Sequence, residues 1–319
     1  MTALPNFQTF SALWTEQIGV EWRRGHREGV QQILDAHLLP AFGHQSITRI
    51  QREDIYAFRA ALAGRSGRHG RALSASRINK VMTILGQLMA EASIRYGFES
   101  PTTGIRKLKQ PKPDVQPFSL EEVSRIVEAI DPHFRAYVVV RIFSGLRTGE
   151  IDGLKWRYVD FEGRKIKVRG IFSSGHDDVG GKTLGAVRDV PFLGPVESTL
   201  RYHADAGRAE SDYVFTMRGG TPMCAKNFTN RIWNPALKQL AIARRRPYEM
   251  RHTFASLMLG AGEDPSYVAK LMGHGSTEML FTTYAKFIPN LRRENGSGIR
   301  ELLEQFSFDA SRQEDNAHA

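Results

Sequence analysis

The stretch RPYEMRHTFAS, residues 246–256, decides how this chain is interpreted. Phe254, Leu257 and Met258 repeat at positions i, i+3 and i+4, which is the spacing of one face of an α-helix. This pattern predicts a helix with Arg251 inside its first turn. An arginine held there can bind an anion, because its guanidinium offers several fixed N–H donors.

The stretch KLMGHGSTEMLFTTYAKF, residues 270–287, follows soon after and predicts a second helix. Its larger side chains repeat at helical spacing at Met279, Leu280 and Tyr284. Ser276 or Thr277 is predicted to cap this helix, and His274 lies just before it. The two stretches together supply a cation, an imidazole and a phenol.

Two upstream segments add further cations. In FSGLRTGEIDGLKW, residues 143–156, Arg147 follows a Ser-Gly break and begins a new helical pattern. In GGKTLGAVRDVPF, residues 180–192, Lys182 is predicted to end a hairpin strand that turns at Leu184 and Gly185. The sequence GGKT in this segment differs from a phosphate-binding Walker A loop, because His176 stands where the first glycine is required and a strand pattern follows.

Taken in chain order, these residues resemble the active site of the tyrosine recombinases, the phage integrase family. They are Arg147, Lys182, Arg251, His274 and Tyr284. The resemblance covers nearly the whole chain. It implies a mainly α fold with a small antiparallel sheet, in which a helical core-binding domain and a catalytic domain close around DNA as a C-shaped clamp.

The resemblance also implies a chemistry and a role for each residue. Tyr284 attacks phosphorus to form a 3′-phosphotyrosine, two arginines hold the non-bridging oxygens, and Lys182 protonates the leaving 5′ oxygen. His274 bonds a phosphate oxygen or assists proton transfer, and Glu150 braces the arginine side. No cofactor, metal ion or ATP is expected, because guanidinium groups replace metal ions and the histidines lack ligand spacing.

One position departs from the family pattern. The family usually has histidine three residues before its second arginine, and this chain has Tyr248 there. A phenol can bond phosphate, but it is a poor base near neutral pH because its ordinary pKa is about 10. Tyr248 is therefore interpreted as an accessory contact, which leaves the general base in doubt. His252 is interpreted as a structural residue that points away from the site.

Composition agrees with a protein that binds a polyanion. The 319 residues include 44 Lys and Arg and 34 Asp and Glu, which gives a net charge of +10. Residues 1–111 hold 15 basic and 8 acidic residues, so the front of the chain is the more basic part. A single cysteine, Cys224, excludes an intrachain disulfide. No signal peptide or membrane span is recognisable, which favours the cytoplasm, and no membrane partner is expected. The resemblance implies a bacterial protein that works at the nucleoid.

The predicted domains follow from composition and periodicity. A Pro- and Lys-rich stretch from Ser100 to Pro117 marks the boundary, and Ser119 with Glu122 forms a capping box that opens the second domain. The prediction is a core-binding domain at 1–110, a linker at 111–118, a catalytic domain at 119–308 with a C-terminal docking helix, and a disordered tail at 309–319. No arm-binding domain is expected before the first.

Four helices are predicted for the first domain. The second of them, HREGVQQILDAHLLPAFG, is expected to end at Pro40 and Gly43, and Ser74 or Ser76 is expected to cap the last. A Gly-rich basic loop precedes this last helix. The loop is either an ordinary solvated turn or, together with the helix, follows DNA phosphates. The candidate DNA-binding residues are Arg65, Arg68 and Arg71 in the loop and Arg77 and Lys80 on the helix.

The function expected from the resemblance is a site-specific recombinase that integrates or excises a phage or other mobile element. Its expected partners are double-stranded DNA, further copies of itself in a tetramer on two DNA sites, and accessory DNA-bending or directionality factors. Two alternatives stay open. A type IB topoisomerase shares the chemistry and relaxes DNA as a monomer, and a DNA-binding regulator that has lost catalysis shares the binding surface.

Overall fold

The computed structural model of this chain describes residues 4–64, 72–111, 114–173, 176–179, 187–206 and 211–288. The chain divides into two compact units, unit 1 (Met1–Pro113) and unit 2 (Asp114–Ala319). This division falls within the segment 111–118 that composition suggests as a linker. No helix of the described residues is long and apolar enough to cross a membrane.

Unit 1 is helical in its described part. Its helices are α1 (Phe7–Ile18), α2 (Arg24–Ile33), α3 (Leu39–Phe42), α4 (Arg52–Gly64) and α5 (Ala75–Tyr96). Each longer helix turns one apolar face to a shared core that includes Phe10, Ile33, Phe58 and Leu88. Ser74 caps α5 by accepting the Arg77 N–H at 3.2 Å, as predicted for one of the two candidate serines.

The predicted second helix is interrupted differently from expectation. Gly43 follows its last residue as predicted, but Pro40 lies inside the helical run, near the start of α3. A π-helical turn, Leu34–Leu38, comes just before it, with the Leu39 N–H bonded to the Leu34 carbonyl. This wider turn lets the chain continue through a proline that has no N–H to donate, so the prediction that Pro40 ends the helix is wrong.

The chain after α5 packs back onto unit 1. The Asn79 side chain bonds both the N–H and the carbonyl of Leu108, at 2.8 and 2.9 Å. Arg52 and Arg59 donate to the carbonyls of Thr103 and Arg106, at 2.6 and 3.0 Å. The Pro- and Lys-rich stretch therefore belongs to unit 1 as far as Leu108, although its composition alone suggests a linker.

Unit 2 combines helices with two small sheets. Its helices are α6 (Leu120–Ala129), α7 (Pro132–Ser144), α8 (Thr148–Asp152), α9 (Pro195–Asp205), α10 (Ala225–Phe228), α11 (Asn234–Gln239), α12 (Glu249–Gly260), α13 (Pro265–Met272) and α14 (Glu278–Tyr284). The predicted capping box is present at α6, where Ser119 and Glu122 bond each other's backbone N–H. The mainly α class with a small antiparallel sheet is confirmed.

The strands are β1 (Val159–Asp160), β2 (Lys165–Val168), β3 (Gly170–Ser173), β4 (His176–Val179) and β5 (Arg188–Pro191). β2 lies between β1 and β5 in one antiparallel sheet, with Ile166 opposite Val190 and Val168 opposite Arg188. β3 and β4 form a separate hairpin. The sequence predicts only one sheet, so this hairpin corrects that prediction.

Candidate active site

The end of α7 prepares the first arginine position. Gly145 has φ +62°, and a Cβ at this glycine would collide with the Phe254 ring, so both the backbone and the packing require glycine. The chain then turns, and Arg147 occupies the N-cap position of α8. The prediction that Arg147 begins a helix is confirmed in this part of the structure.

Arg251 lies in the first turn of α12, as predicted, and is 1% exposed. Its Nη1 donates to the Gly145 carbonyl, and its Nη2 donates to the Met272 carbonyl at 2.7 Å. Its Nε is buried and has no hydrogen-bond partner among the described residues. Burial, together with the nearby charge of Arg147, lowers the pKa of Arg251 to about 10, but the guanidinium still carries its charge at neutral pH.

Three arginines meet at the C-terminus of α13. Arg188 donates from Nε to the Leu271 carbonyl at 2.5 Å, and Arg251 and Arg147 donate to the carbonyls of the next two residues, Met272 and Gly273. The last carbonyls of a helix lack partners within the helix and carry a partial negative charge. The end of α13 therefore holds three like charges together that would otherwise repel one another.

A buried carboxylate completes this arrangement. Glu150 accepts the N–H and Nη1 of Arg147 at 2.8 and 2.9 Å, and both Nη atoms of Arg188 at 2.9 and 2.8 Å. Burial alone would raise the pKa of Glu150, but the bonds from Arg188 and Arg147 outweigh it and lower the pKa to about 2. Glu150 holds Arg147 in place, as the resemblance suggests. It holds Arg188 through two side-chain hydrogen bonds, against one from the Arg147 side chain.

Arg188 is a site residue that the sequence analysis missed. It lies on β5, where its side chain is buried like that of Val190, while Asp189 between them is exposed. This alternation is the signal that could have found it, because an arginine on the buried face of a strand must meet a buried partner. Its bidentate bond to Glu150 supplies that partner.

His274 follows the three carbonyls directly. Its backbone N–H bonds the Ala269 carbonyl at 2.9 Å, which fixes the turn after α13. The ring is half-buried, and its Nδ1 has no partner among the described residues. Burial lowers the pKa of His274 to about 4, and the charges of Arg251 and Arg147 act in the same direction. The ring is therefore uncharged at neutral pH.

Tyr284 is the last residue of α14 and is 2% exposed. Its Oη lies 2.5 Å from Nδ1 of His252. Burial raises the pKa of Tyr284 above the ordinary value of a phenol, and the nearby charge of Arg251 opposes that rise. Thr277 occupies the N-cap position of α14, as predicted for one of two candidates, but its side chain makes no capping hydrogen bond.

His252 corrects the sequence interpretation. It was expected to point away from the site, because it is adjacent to Arg251 on a helix. Instead α14 folds back against α12, so the His252 ring contacts the Tyr284 hydroxyl. Tyr248, one turn earlier, packs the edge of its ring on His252 with 5.2 Å between centroids and is 42% exposed.

The remaining predicted residues are placed unequally. Arg77 and Lys80 lie on α5, where Arg77 is half-buried and Lys80 is exposed. Four predicted residues lie outside the described residues: Arg65, Arg68, Arg71 and Lys182. The predicted C-terminal docking helix also lies outside them.

An open groove of about 670 Å³ borders the arginine cluster. It is lined by Gly273 and His274 together with three cationic side chains, Arg169, Arg188 and Lys270. Among the described residues, no group of three or more His, Cys, Asp or Glu side chains comes together as a metal-ion site would require. The groove offers positive charge and N–H donors, which suit an anionic ligand.

Comparison with known proteins places this arrangement in a family. A sequence model described as the phage integrase family matches residues 117–289. Prophage integrase IntR of Escherichia coli (strain K12) is 28% identical over 282 residues, which are 78% of this chain and 68% of that protein. This chain covers 66% and 55% of the lengths of two further curated relatives.

Solved structures show the same fold. The Tn1549 transposon integrase, in complex with a circular intermediate DNA, superposes with a TM-score of 0.76 at 18% identity, over 95% of this chain and 99% of that one. A lambda integrase tetramer bound to a Holliday junction superposes with a TM-score of 0.68 at 14% identity, over 86% of this chain and 78% of that one.

Proposed function

This chain belongs to the phage integrase family, and we propose that it is a site-specific DNA recombinase that cleaves and rejoins DNA through a 3′-phosphotyrosine. Its substrate is double-stranded DNA at the ends of a phage or other mobile element. The bond energy of the phosphodiester is kept in the tyrosyl ester, so rejoining needs no nucleotide. The arginine cluster takes the place of metal ions.

The observation that carries this proposal is the convergence of Arg147 and Arg251 on successive carbonyls at the end of α13, with the Tyr284 hydroxyl in contact with His252, the neighbour of Arg251 on α12. A buried cation with an unpartnered N–H is costly unless a ligand completes it. Arg251 is in that position, because its Nε has no partner in the described part of the chain. The Nε of Arg141 lacks one too, but Arg251 is the arginine that shares the end of α13 with Arg147 and is adjacent to His252. A phosphodiester bound there gains preorganised donors where charge develops during the reaction.

The roles of the individual residues follow from this placement. Tyr284 is the nucleophile, and Arg147 and Arg251 bind the non-bridging oxygens. Glu150 holds Arg147 in position, and Arg188 in turn holds Glu150. His274, uncharged at neutral pH, contributes a hydrogen bond to a phosphate oxygen rather than a proton. Lys182 is assigned as the acid for the 5′ oxygen on the resemblance alone.

Unit 1 and the assembly complete the proposal. The excess of basic residues in 1–111 suits contact with phosphates, and Arg77 and Lys80 on α5 are the described candidates. Four copies acting on two DNA sites would exchange strands, and a solved structure with the same fold, a lambda integrase tetramer bound to a Holliday junction, supports this assembly. The reaction takes place in the bacterial cytoplasm, at the nucleoid.

The decisive experiment compares wild type with Tyr284→Phe on a nicked suicide substrate whose sequence is taken from the DNA that flanks the gene. The wild-type protein should form a covalent adduct, visible in a denaturing gel, in the presence of EDTA and without nucleotide. Tyr284→Phe should bind the same DNA and form none, because only the attacking oxygen is lost. Tyr202→Phe, at an exposed position on α9, is the matched control and should behave as wild type.

Three results would contradict the proposal. They are an adduct of wild-type abundance with Tyr284→Phe, an absolute need for Mg²⁺ in cleavage, and no adduct from the wild type on any flanking sequence. Exchange between two sites on separate duplexes distinguishes recombination from relaxation by a type IB topoisomerase.

A further inference from the structure

We propose that His252 is the general base of the cleavage step, taking the proton of Tyr284 as the phenol oxygen attacks phosphorus. This inference rests on the proposed function, since it assigns a role within that reaction. It gives a catalytic role to a residue for which sequence reasoning assigns only a structural one.

The His252 ring is in direct contact with the nucleophile. The Tyr284 Oη and the His252 Nδ1 are 2.5 Å apart, within the distance at which a base takes a proton directly. For Nδ1 to accept, the ring proton must be on Nε2, and the phenol then donates to Nδ1. No intervening water or movement of the ring is required for this transfer.

The other groups around the Tyr284 phenol are less suited to take its proton than His252. Arg251 is a cation and cannot accept a proton, and Tyr248 is another phenol whose ring packs on His252. Glu249 accepts the Gln116 N–H at 3.2 Å, at the start of unit 2. His252 is the imidazole in contact with the attacking oxygen, and imidazole is the side chain best suited to proton transfer near neutral pH.

Electrostatics keep the His252 ring ready to act as a base. Burial, together with the nearby charge of Arg251, lowers the pKa of His252 to about 4, so the ring is uncharged and able to accept a proton at neutral pH. Its other titratable neighbours are Tyr248, Tyr284 and His274. A phosphate bound to Arg251 offsets that cation, which raises the basicity of His252 when DNA is present. The base therefore becomes stronger when its substrate arrives.

The proton and electron changes are as follows. The Tyr284 O–H bond breaks, its proton forms an N–H bond at His252 Nδ1, and the oxygen electron pair forms the new bond to phosphorus. The bond from phosphorus to the 5′ oxygen breaks, and that oxygen leaves with its electron pair and takes a proton from the acid assigned as Lys182. In rejoining, the 5′ hydroxyl returns its proton to the group assigned as Lys182 while its oxygen attacks phosphorus. The bond from phosphorus to the Tyr284 oxygen breaks, and that oxygen takes back the proton of the His252 imidazolium.

The test is single-turnover cleavage of the suicide substrate by His252→Ala and His252→Asn. The asparagine amide can hydrogen-bond the phenol where Nδ1 does but cannot take its proton. Both variants should cleave about 100-fold more slowly or worse, since a positioned base contributes at least that factor. Added imidazole should partly restore His252→Ala, and its rate should rise with hydroxide concentration across the pH range where wild type is level.

The outcomes separate the two proposals. DNA binding in a gel shift shows that each variant is folded. An adduct from wild type but not from Tyr284→Phe supports the proposed function whatever His252 does. Cleavage by His252→Ala within about threefold of wild type, or full activity of His252→Asn, would overturn the role of His252 alone, because a hydrogen bond would then suffice. A wild-type protein without any adduct overturns both.

Discussion

The two units bury different kinds of side chain. In the described part of unit 1, the buried polar residues are Ser11 and Asn79, which are neutral and hydrogen-bonded. Unit 2 buries a set of side chains that are normally charged: Arg141, Glu150, Asp152, Arg188 and Arg251. Unit 1 therefore rests on apolar packing, while unit 2 removes several charges from water.

This difference indicates where the chemistry lies. Burial of a charge destabilises a fold unless the charge is paired and hydrogen-bonded, and even a good pair seldom stabilises it more than an apolar contact would. The gain in unit 2 is preorganisation, because fixed charges in a site shielded from water act strongly on developing charge. The contrast predicts that substitutions in the buried cluster separate catalysis from folding.

The largest effect is expected for Arg251→Ala. Loss of an arginine that binds the transferring phosphate lowers the rate by about 10³- to 10⁵-fold. Arg141→Ala is the matched control, because Arg141 is equally buried but donates to Tyr137 and Thr148. Single-turnover cleavage, corrected for the folded fraction, should fall less than about tenfold with Arg141→Ala. Equal losses in the two variants would mean that the effect comes from removing a buried charge and not from loss of phosphate binding.

Glu150→Gln should have the next largest effect, on stability. Removing one partner of a buried ion pair costs about 3–5 kcal/mol, because Arg188 is left buried without its counter-charge. Glu197→Gln is the control, since Glu197 pairs with the exposed Arg201 and should lose less than about 1 kcal/mol. Urea unfolding measures both. A loss below about 1 kcal/mol for Glu150→Gln would remove the distinction between the two kinds of burial.

A third prediction concerns the pH dependence of stability, because the pKa values of two carboxyl groups on α8 are shifted in opposite directions. Burial raises the pKa of Asp152 to about 6, although its bond from the Tyr137 hydroxyl at 2.7 Å opposes the rise. A raised folded-state pKa means that this contribution to stability is fully present below about pH 4 and is lost as the pH rises through 6. Glu150, with its lowered pKa, contributes above about pH 4.5 and loses that contribution toward pH 2.

The measurement compares the unfolding free energy of wild type and Asp152→Asn from pH 4 to 7. Relative to the variant, wild type should lose about 3 kcal/mol over this range, which is the value of a shift of about two pKa units. A difference that does not change with pH would show that Asp152 stays ionised in the folded protein.

Local patterns in the sequence predict much of this fold. Ser74 predicts the start of α5, Ser119 with Glu122 predicts the start of α6, and the periodicity around Phe254 predicts α12 with Arg251 in its first turn. Each of these signals lies within a few residues of the element that it specifies, because capping and periodicity are local properties.

Contacts between distant elements are not predictable in this way. The His252 ring meets Tyr284 across 32 residues, and Arg188 meets Glu150 across 38. A periodic pattern says that a helix or strand forms, but not which side chain of a neighbouring element its polar residues will meet. The site residues that were misjudged or missed, His252 and Arg188, are both of this kind.

The smallest effect is expected for Tyr248, which is exposed while the other described active-site residues are buried or half-buried. At 42% exposure its hydroxyl offers one ordinary hydrogen bond to phosphate, so Tyr248→Phe should slow cleavage by about tenfold at most, as 1–1.5 kcal/mol implies. Tyr248→His should add a titration near pH 6.5 to the rate profile. Single-turnover cleavage from pH 5.5 to 9 checks both variants. A loss in Tyr248→Phe as severe as in His252→Ala would make the exposed phenol of Tyr248, rather than the half-buried imidazole of His252, the group that controls the proton.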